Sequence, residues 1–220
     1  KKLTGFIPDK KKMSTFISAY FNNVKMPLKN EAEIRLHYNK MPLFFYVFPL
    51  PNNEVNVTLG GNTQKIIDNN INLKDEIEAF IKNHPKVAPK FMDAKQISVW
   101  RGWGIPYHFS KQKVCGNRFF LVGDAAGLAN SFYKEGVGTG MMSGIICAKK
   151  IATCLNENNF SDAFMSSYKK ELDKEFGKLL RFSEFALKVA RFKAIFAGVV
   201  KISKNIVEKR AFSIIRKRSY

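Results

Sequence analysis

Apolar and polar positions alternate along much of the first half of the chain. Glu33 to Tyr38 puts Ile34, Leu36 and Tyr38 on one face and Glu33, Arg35 and His37 on the other. Glu54 to Leu59 alternates again, with Val55, Val57 and Leu59 inward, and Gly60-Gly61 ends it. A period of two is the mark of a strand with one buried side. Thr15 to Val24 is rich in aromatic and β-branched residues, and Leu43 to Leu50 is a bulky apolar run closed by Pro51-Asn52-Asn53. These four segments predict an antiparallel meander with one polar face. The period then lengthens. Leu73 to Asn83, with Ile77, Phe80 and Ile81, predicts a short amphipathic helix that Pro85 and Pro89 stop. Lys95 to Arg101 predicts a further strand.

The second half opens on a different pattern. Phe119 to Val122 is a short apolar run ending in Gly123-Asp124-Ala125-Ala126-Gly127. It predicts a buried strand with a carboxylate at its carboxyl end, where open α/β sheets bind ligands. A turn-rich loop through Gly136-Val137-Gly138 follows, and Thr139 to Leu155 has helical spacing in Met141, Met142, Ile145, Ile146, Ile151 and Leu155. Free amides and the positive dipole end at such a helix start stabilise anionic character in a ligand. Spacing alone leaves two readings open: a cofactor cradle, or an ordinary strand–helix unit with a capping glycine and an exposed Asp.

Phe160 to Tyr220 predicts mostly helix. Ser161 and Asp162 suit a first turn, and Phe164, Tyr168, Leu172, Phe176, Leu179 and Leu180 form the apolar stripe. From Phe185 onward ten basic residues stand against Glu208 alone, interleaved with apolar ones. Such a segment suits the surface of an anionic bilayer. The plainer reading is a helix packed on the body with a solvated basic face.

Composition narrows the class. The chain has 220 residues, is 45% hydrophobic and carries a formal net charge of +19. That charge favours anionic partners. No zinc-finger spacing or nucleic-acid-binding aromatic pattern accompanies it, so nucleic acid is not expected. Cys115, Cys147 and Cys154 have neither disulfide-framework nor metal-ligand spacing and suit a reducing compartment. No metal cluster, P-loop or Ser-His-Asp set is visible. His37, on the polar strand face, His84, after a helix end, and His108 read as solvated; only His108 stands near a candidate site.

The stretch from Phe119 to Gly138 resembles the second FAD-binding motif of the flavoproteins that include aromatic hydroxylases and geranylgeranyl reductases. That motif runs strand, Gly-Asp-Ala-Ala, a loop through Asn-Pro, then Gly-Xaa-Gly opening a helix. The resemblance implies FAD as cofactor, with Gly123, Asp124, Ala125, Ala126 and Gly127 along the ribityl side. Asp124 would bind the ribityl hydroxyls, and Gly136, Val137 and Gly138 would lie near the flavin pyrimidine. Ser131 replaces the usual Pro, and Tyr133-Lys134 replaces a commoner Thr-Gly or Ser-Gly. Pro42 to Pro49 resembles the reductases' segment Tyr-x-Trp-x-Phe-Pro followed by a glycine-ended strand. On this reading Phe45 stands for the Tyr and Val47 for the Trp. Phe45, Val47, Phe48, Pro49 and Trp103 are then the substrate-binding candidates, each with plain packing as its alternative. Arg101 could meet a substrate phosphate or a surface carboxylate.

The resemblance implies an α+β fold, a fragment of an α/β flavoprotein. It would comprise an antiparallel substrate-binding sheet (1–98), a return unit of the FAD-binding domain (99–156) and a basic helical region (157–220). No Gly-x-Gly-x-x-Gly turn is present, and Lys1 to Gly5 looks like the point just after the family's second nucleotide segment. The expectation is therefore a carboxyl-terminal portion that by itself holds FAD weakly or not at all. The implied reaction is reduction of carbon–carbon double bonds in a prenyl chain, with NAD(P)H or ferredoxin as electron donor and no assignable proton donor. Oxygen-dependent hydroxylation or epoxidation, and a non-catalytic basic module apposed to a membrane, are the alternatives. The expected partners are a prenyl-lipid or other apolar substrate and an anionic membrane surface. The expected place is the cytoplasm, peripheral at the inner face of a membrane.

Overall fold

The computed structural model describes residues 10–26, 31–107, 113–132 and 134–189. They form two compact units: one of residues up to 113 with the short stretch 124–127, the other of 114–123 and everything from 128 on.

The first unit is an antiparallel sheet with helices on one side. The strands are β1 (Met13–Asn22), β2 (Glu33–Asn39), β3 (Met41–Pro49) and β4 (Glu54–Asn62), then the two-residue β5 (Lys95–Gln96) and β6 (Arg101–Pro106). The order is β2-β3-β4-β1, and β1 pairs with β5 at one end and β6 along the rest, so the sheet extends past residue 98. Lys95 to Arg101 is thus not one strand: the chain pairs briefly, leaves the sheet, and re-pairs from Arg101. Strand β4 also runs on through Gly60-Gly61 to Asn62 instead of ending there. The helices are α1 (Thr63–Asp68), α2 (Leu73–Asn83) and α3 (Ala88–Phe91). Asn62 caps α1 by accepting from the Lys65 amide at 3.0 Å, and Asn72 caps α2 by accepting from Lys74 N at 3.0 Å.

Two periodicities meet in the core. Ala19, Phe21, Leu43, Phe45, Val47, Val55, Val57 and Leu59 point from the sheet onto Ile66, Leu73, Ile77 and Phe80 of the helices. Trp100 packs beside them, 5.7 Å from the Phe21 ring centroid, and its indole N–H donates to Glu78 at 3.0 Å.

The sequence predicted that the meander's other face would be polar; on β1 and β4 it carries Ser14, Ser18, Asn56 and Thr58, but on β2 and β3 it is apolar. Cross-strand register places Leu36, Phe44, Gly60, Phe16 and Trp103 in one row across five strands, and Ile34, Tyr46 and Thr58 in the next. The polar side of β2 turns toward the helices instead. Glu33 pairs with Arg35 and with Lys90 on α3, while Glu76 on α2 receives both His37 and Asn39, the latter at 2.7 Å. His37 is therefore a paired side chain packed 4.6 Å from the Phe80 ring, not a solvated one. His84 also lies against Phe80, and burial, then the positive charge of Arg35, pushes its imidazole below its ordinary pKa.

The second unit begins with the hairpin β7 (Cys115–Gly116) and β8 (Phe119–Phe120), followed by α4 (Val137–Asn156), α5 (Asp162–Met165) and α6 (Ser167–Val189). The predicted buried strand 119–122 is reduced to β8, and Val122 is exposed. Among the described residues β8 pairs only with β7, so neither of its flanks is covered by a parallel neighbour. On α4 the buried side is Thr139, Ser143, Cys147, Lys150 and Cys154, with the Lys150 ammonium 4.1 Å from the Phe164 ring centroid. Burial, then the neighbouring Cys154, pushes the Cys147 thiol up. Of the apolar residues that announced this helix, Met141, Ile145, Ile151 and Leu155 lie on its exposed side, as does Val137. Ser161 caps α5, and α6 buries Tyr168, Leu172, Phe176 and Leu180, while Leu179 stays partly exposed. His108, Tyr133 and the basic segment beyond Val189 lie outside the described residues, as does Lys1 to Gly5.

Candidate functional site

The aromatic face of the sheet grows from β3. Phe44, Tyr46 and Phe48 stand on alternate residues, so they share a side. Their rings stack along the strand: Phe44 to Tyr46 at 6.3 Å and 10°, Tyr46 to Phe48 at 5.6 Å and 12°. Phe16 on β1 leans toward Tyr46 with centroids 6.1 Å apart. It can do so because residue 60 is glycine. A Cβ there would overlap the Phe16 ring and the Thr15 carbonyl oxygen. Phe48 is half-exposed, Ile34, Leu36 and Tyr38 on β2 extend the face outward, and Trp103 on β6 is 76% exposed. Burial pushes the Tyr46 hydroxyl far above its ordinary pKa, so it remains a neutral phenol.

This corrects two substrate-binding candidates. Phe45 and Val47 are fully buried in the core against the helices, because odd-numbered residues of β3 face that way. Their even-numbered neighbours carry the aromatic face. The segment Tyr-x-Trp-x-Phe-Pro, counted back from Pro49, in fact places its Trp at Tyr46 and its Tyr at Phe44. A slip of one residue moved both assignments to the wrong side of the strand. Phe48 and Trp103 are on the aromatic face; Pro49 ends β3.

The glycine-rich segments have their own geometry. Gly123 to Ala126 form a 3-10 turn, and Gly123 has a left-handed φ of 54°. A Cβ on Gly123 would sit 3.4 Å from the Gly140 Cα, an ordinary contact, so it is the left-handed φ that favours glycine at 123. The Gly123 amide donates to Ser143 Oγ at 3.0 Å. Asp124 and Ala125 are exposed and Ala126 is buried. At the start of α4 the Gly138 amide donates to the Glu135 carboxylate at 3.0 Å, and Gly136 accepts from Gly140 N at 2.8 Å.

That Glu135 contact tests whether these residues fit a flavin. A first-turn amide of α4 already receives an anionic oxygen, which is the kind of acceptor a reduced flavin edge presents. Val137 and Gly138 are exposed, and the Gly123 turn carries no bulky side chain. The residues fit, on condition that the Glu135 side chain gives way. Among the described residues no cluster of His, Cys, Asp or Glu could hold a metal ion.

No family model matches the chain. It is 25% identical over 154 residues to digeranylgeranylglycerophospholipid reductase 2 of Methanopyrus kandleri, covering 66% of this chain and 36% of that protein. Among solved structures it superposes on a geranylgeranyl bacteriochlorophyll reductase-like protein of Thermoplasma acidophilum with a TM-score of 0.66 at 19% identity, over 92% of this chain and 55% of the other. The chain is related to the geranylgeranyl reductase-like flavoproteins. It spans about a third of the length of the curated relatives it matches. The fold, mixed helix and antiparallel sheet, is the one these flavoproteins share. It also matches the flavin-dependent brominase Bmp2, with a TM-score of 0.58 at 16% identity over 74% of this chain and 41% of that one. Residues that the sequence reading passed over as site residues are Phe16, Phe44, Tyr46 and Glu135. Motif spacing pointed to Phe44 and Tyr46; nothing local pointed to Phe16, whose role depends on a glycine 44 residues away in register.

Proposed function

We propose that this chain is the substrate-binding and flavin-return portion of an FAD-dependent reductase acting on carbon–carbon double bonds of a prenyl chain. The observation that carries this reading is the stacked Phe44–Tyr46–Phe48 ladder on the sheet face opposite α1 and α2. A long hydrocarbon needs an extended apolar bed, and three in-line rings with Leu36, Ile34 and Phe16 beside them supply one. Tyr46, held neutral, adds no charge to that bed. Names of the curated relatives, which specify a digeranylgeranyl lipid, support the same substrate class.

FAD, when bound, supplies the hydride. Asp124 would accept hydrogen bonds from the ribityl hydroxyls. The amides of Gly136, Val137 and Gly138 would face the pyrimidine edge and favour negative charge there. The glycine pair Gly123 and Gly140 keeps side-chain bulk out of that approach. The ladder orients the chain and excludes water from it. The electron donor belongs to the class of reduced nicotinamides or ferredoxins.

The test uses the full-length protein, reduced anaerobically and mixed with a geranylgeranyl lipid. Flavin reoxidation without air, with a saturated product, is the expected result. Reoxidation only on adding air would replace this reading by the oxygenase one, which the fold shared with flavin-dependent halogenases also accommodates. Asp124→Ala should lose FAD while the far-ultraviolet circular dichroism stays unchanged. One lost charged hydrogen bond predicts binding weaker by about 10- to 100-fold. FAD retained at wild-type occupancy would remove Asp124 from the site. Glu135→Gln should tighten reduced-flavin binding several-fold, because a neutral side chain competes less for the Gly138 amide.

A further inference from the structure

We propose that the β2 edge of the sheet, with the lysine-bearing end beside it, docks onto an anionic phospholipid bilayer. It draws on Ile34 and Leu36, which also border the proposed substrate bed, and is tested by vesicle binding without flavin.

Strand β2 is oriented the wrong way round for a surface strand bathed only in water. It is the outermost strand on its side of the sheet. Its charged residues, Glu33, Arg35 and His37, point toward the helical layer, where each needs a partner. Its apolar residues point outward: Ile34 is 63% exposed, and Leu36 and Tyr38 are similarly open. Ion pairs to Lys90 and Glu76 hold the strand in this orientation. The reverse orientation would have given water the charges and the helices the hydrocarbon. An outward apolar row at a sheet edge marks a surface that something apolar covers.

Charge selects the cover. Lys40, exposed, occupies the tip between β2 and β3 with a left-handed φ of 56°. Lys10, Lys11 and Lys12 form a 3-10 turn leading into β1. Register places the two at the same end of the sheet, since Asn39 pairs with Met41 there and Ser14 with Asn62. The lysine turn is a built feature. Tyr107 N donates to the Lys12 carbonyl at 3.1 Å, Tyr107 Oη to the Lys11 carbonyl at 3.1 Å, and Asn62 Nδ2 to Tyr107 Oη at 2.8 Å. Lysines flanking an apolar row match a bilayer surface, where phosphates border hydrocarbon. A second copy of this chain is the weaker candidate, because a charge of +19 on each copy opposes their approach.

The experiment is co-sedimentation of the full chain with phosphatidylcholine vesicles, with and without phosphatidylglycerol. The expected result is binding only to the phosphatidylglycerol vesicles, falling with salt. I34D/L36D should lower the bound fraction about tenfold, since two charges would enter the interface. K10E/K40E should lower it several-fold and flatten the salt dependence. F182S/F185S, on the exposed side of α6, should leave it unchanged. Unchanged circular dichroism in each variant separates docking from folding. Full binding by I34D/L36D would overturn the proposal and move the contact to the basic segment beyond Val189. A wild-type dimer that I34D/L36D dissociates would overturn it in favour of a second copy.

Discussion

The two faces of the six-stranded sheet are built differently, and the apolar part of the one away from the helices lies mainly on β2 and β3. The helix-covered face is aliphatic and closed: Leu43, Val47, Val57 and Leu59 interlock with Ile77 and Phe80 and are almost wholly buried. The opposite face is aromatic and graded. Phe44, Tyr46 and Phe16 are buried, whereas Phe48, Ile34 and Trp103 at its margins remain exposed. Interlocking aliphatic packing gives stability and leaves no space. Flat stacked rings give area without filling depth, which suits a surface that receives a long apolar guest.

The largest effect that tests this contrast comes from two residues of β3. Phe45→Ala should destabilise the protein by about 3–5 kcal/mol, because it opens a cavity in the closed core. Phe48→Ala, three positions on and across the strand, should cost less than about 1 kcal/mol, since that ring is already half in water. It should instead raise KM for a prenyl substrate. Thermal unfolding of the two variants, with steady-state kinetics of the full-length enzyme, checks both. Equal destabilisation by the two substitutions would abolish the distinction between the faces.

Next in size is Gly60→Ala. Its methyl has no room beside the Phe16 ring and the Thr15 carbonyl oxygen, and the ring must swing away from Tyr46. Overpacking of this kind costs about 1–3 kcal/mol. The double variant Gly60→Ala with Phe16→Ala should recover part of that loss, which a double-mutant cycle in urea would reveal. Full additivity would mean that Phe16 is not what residue 60 accommodates.

Most of the sheet was legible in the sequence, and the reason is periodicity. Strands β2 and β4 alternate cleanly, and helix α2 was bounded by Asn72 at one end and Pro85 at the other, so its observed limits are those predicted. The side-chain directions of β3 were not legible, because Leu43-Phe44-Phe45-Tyr46-Val47-Phe48 is apolar at every position and carries no period of its own. Its two faces separate only by chemistry, aliphatic residues and Phe45 one way, aromatic residues the other. Alternation in β2 was read correctly, but the usual rule that apolar means inward chose the wrong side for the charges. The compensating partners, Glu76 and Lys90, lie 39 and 57 residues away and are invisible to a local pattern. Likewise the run Phe119 to Val122 looked like a buried strand because local composition says nothing about whether neighbours exist to bury it. In the candidate site, the glycines and Asp124 were visible as a motif, whereas Glu135 on the Gly138 amide emerged only from coordinates.

The smallest effect concerns the charged underside of β2. Burial by itself would raise the Glu33 carboxyl, but hydrogen bonds from Lys90 and Arg35, with their positive charges, hold it below its usual value near 4.5. A carboxyl whose folded value is depressed adds stability that is fully present above the unfolded value. That stability is lost as pH falls through the folded value. The contribution should thus be complete at neutral pH and should fade below about 4.5. Lys90→Met removes the main partner, so it should lower stability at pH 7 by less than about 1 kcal/mol and shrink the acid-dependent loss. Urea unfolding of wild type and variant at pH 7 and at pH 3.5 makes the comparison. If β2 were held only by its backbone pairing with β3, the two stability profiles would run parallel. A convergence of the two curves in acid is what ties the inward charges to the outward display of Ile34, Leu36 and Tyr38.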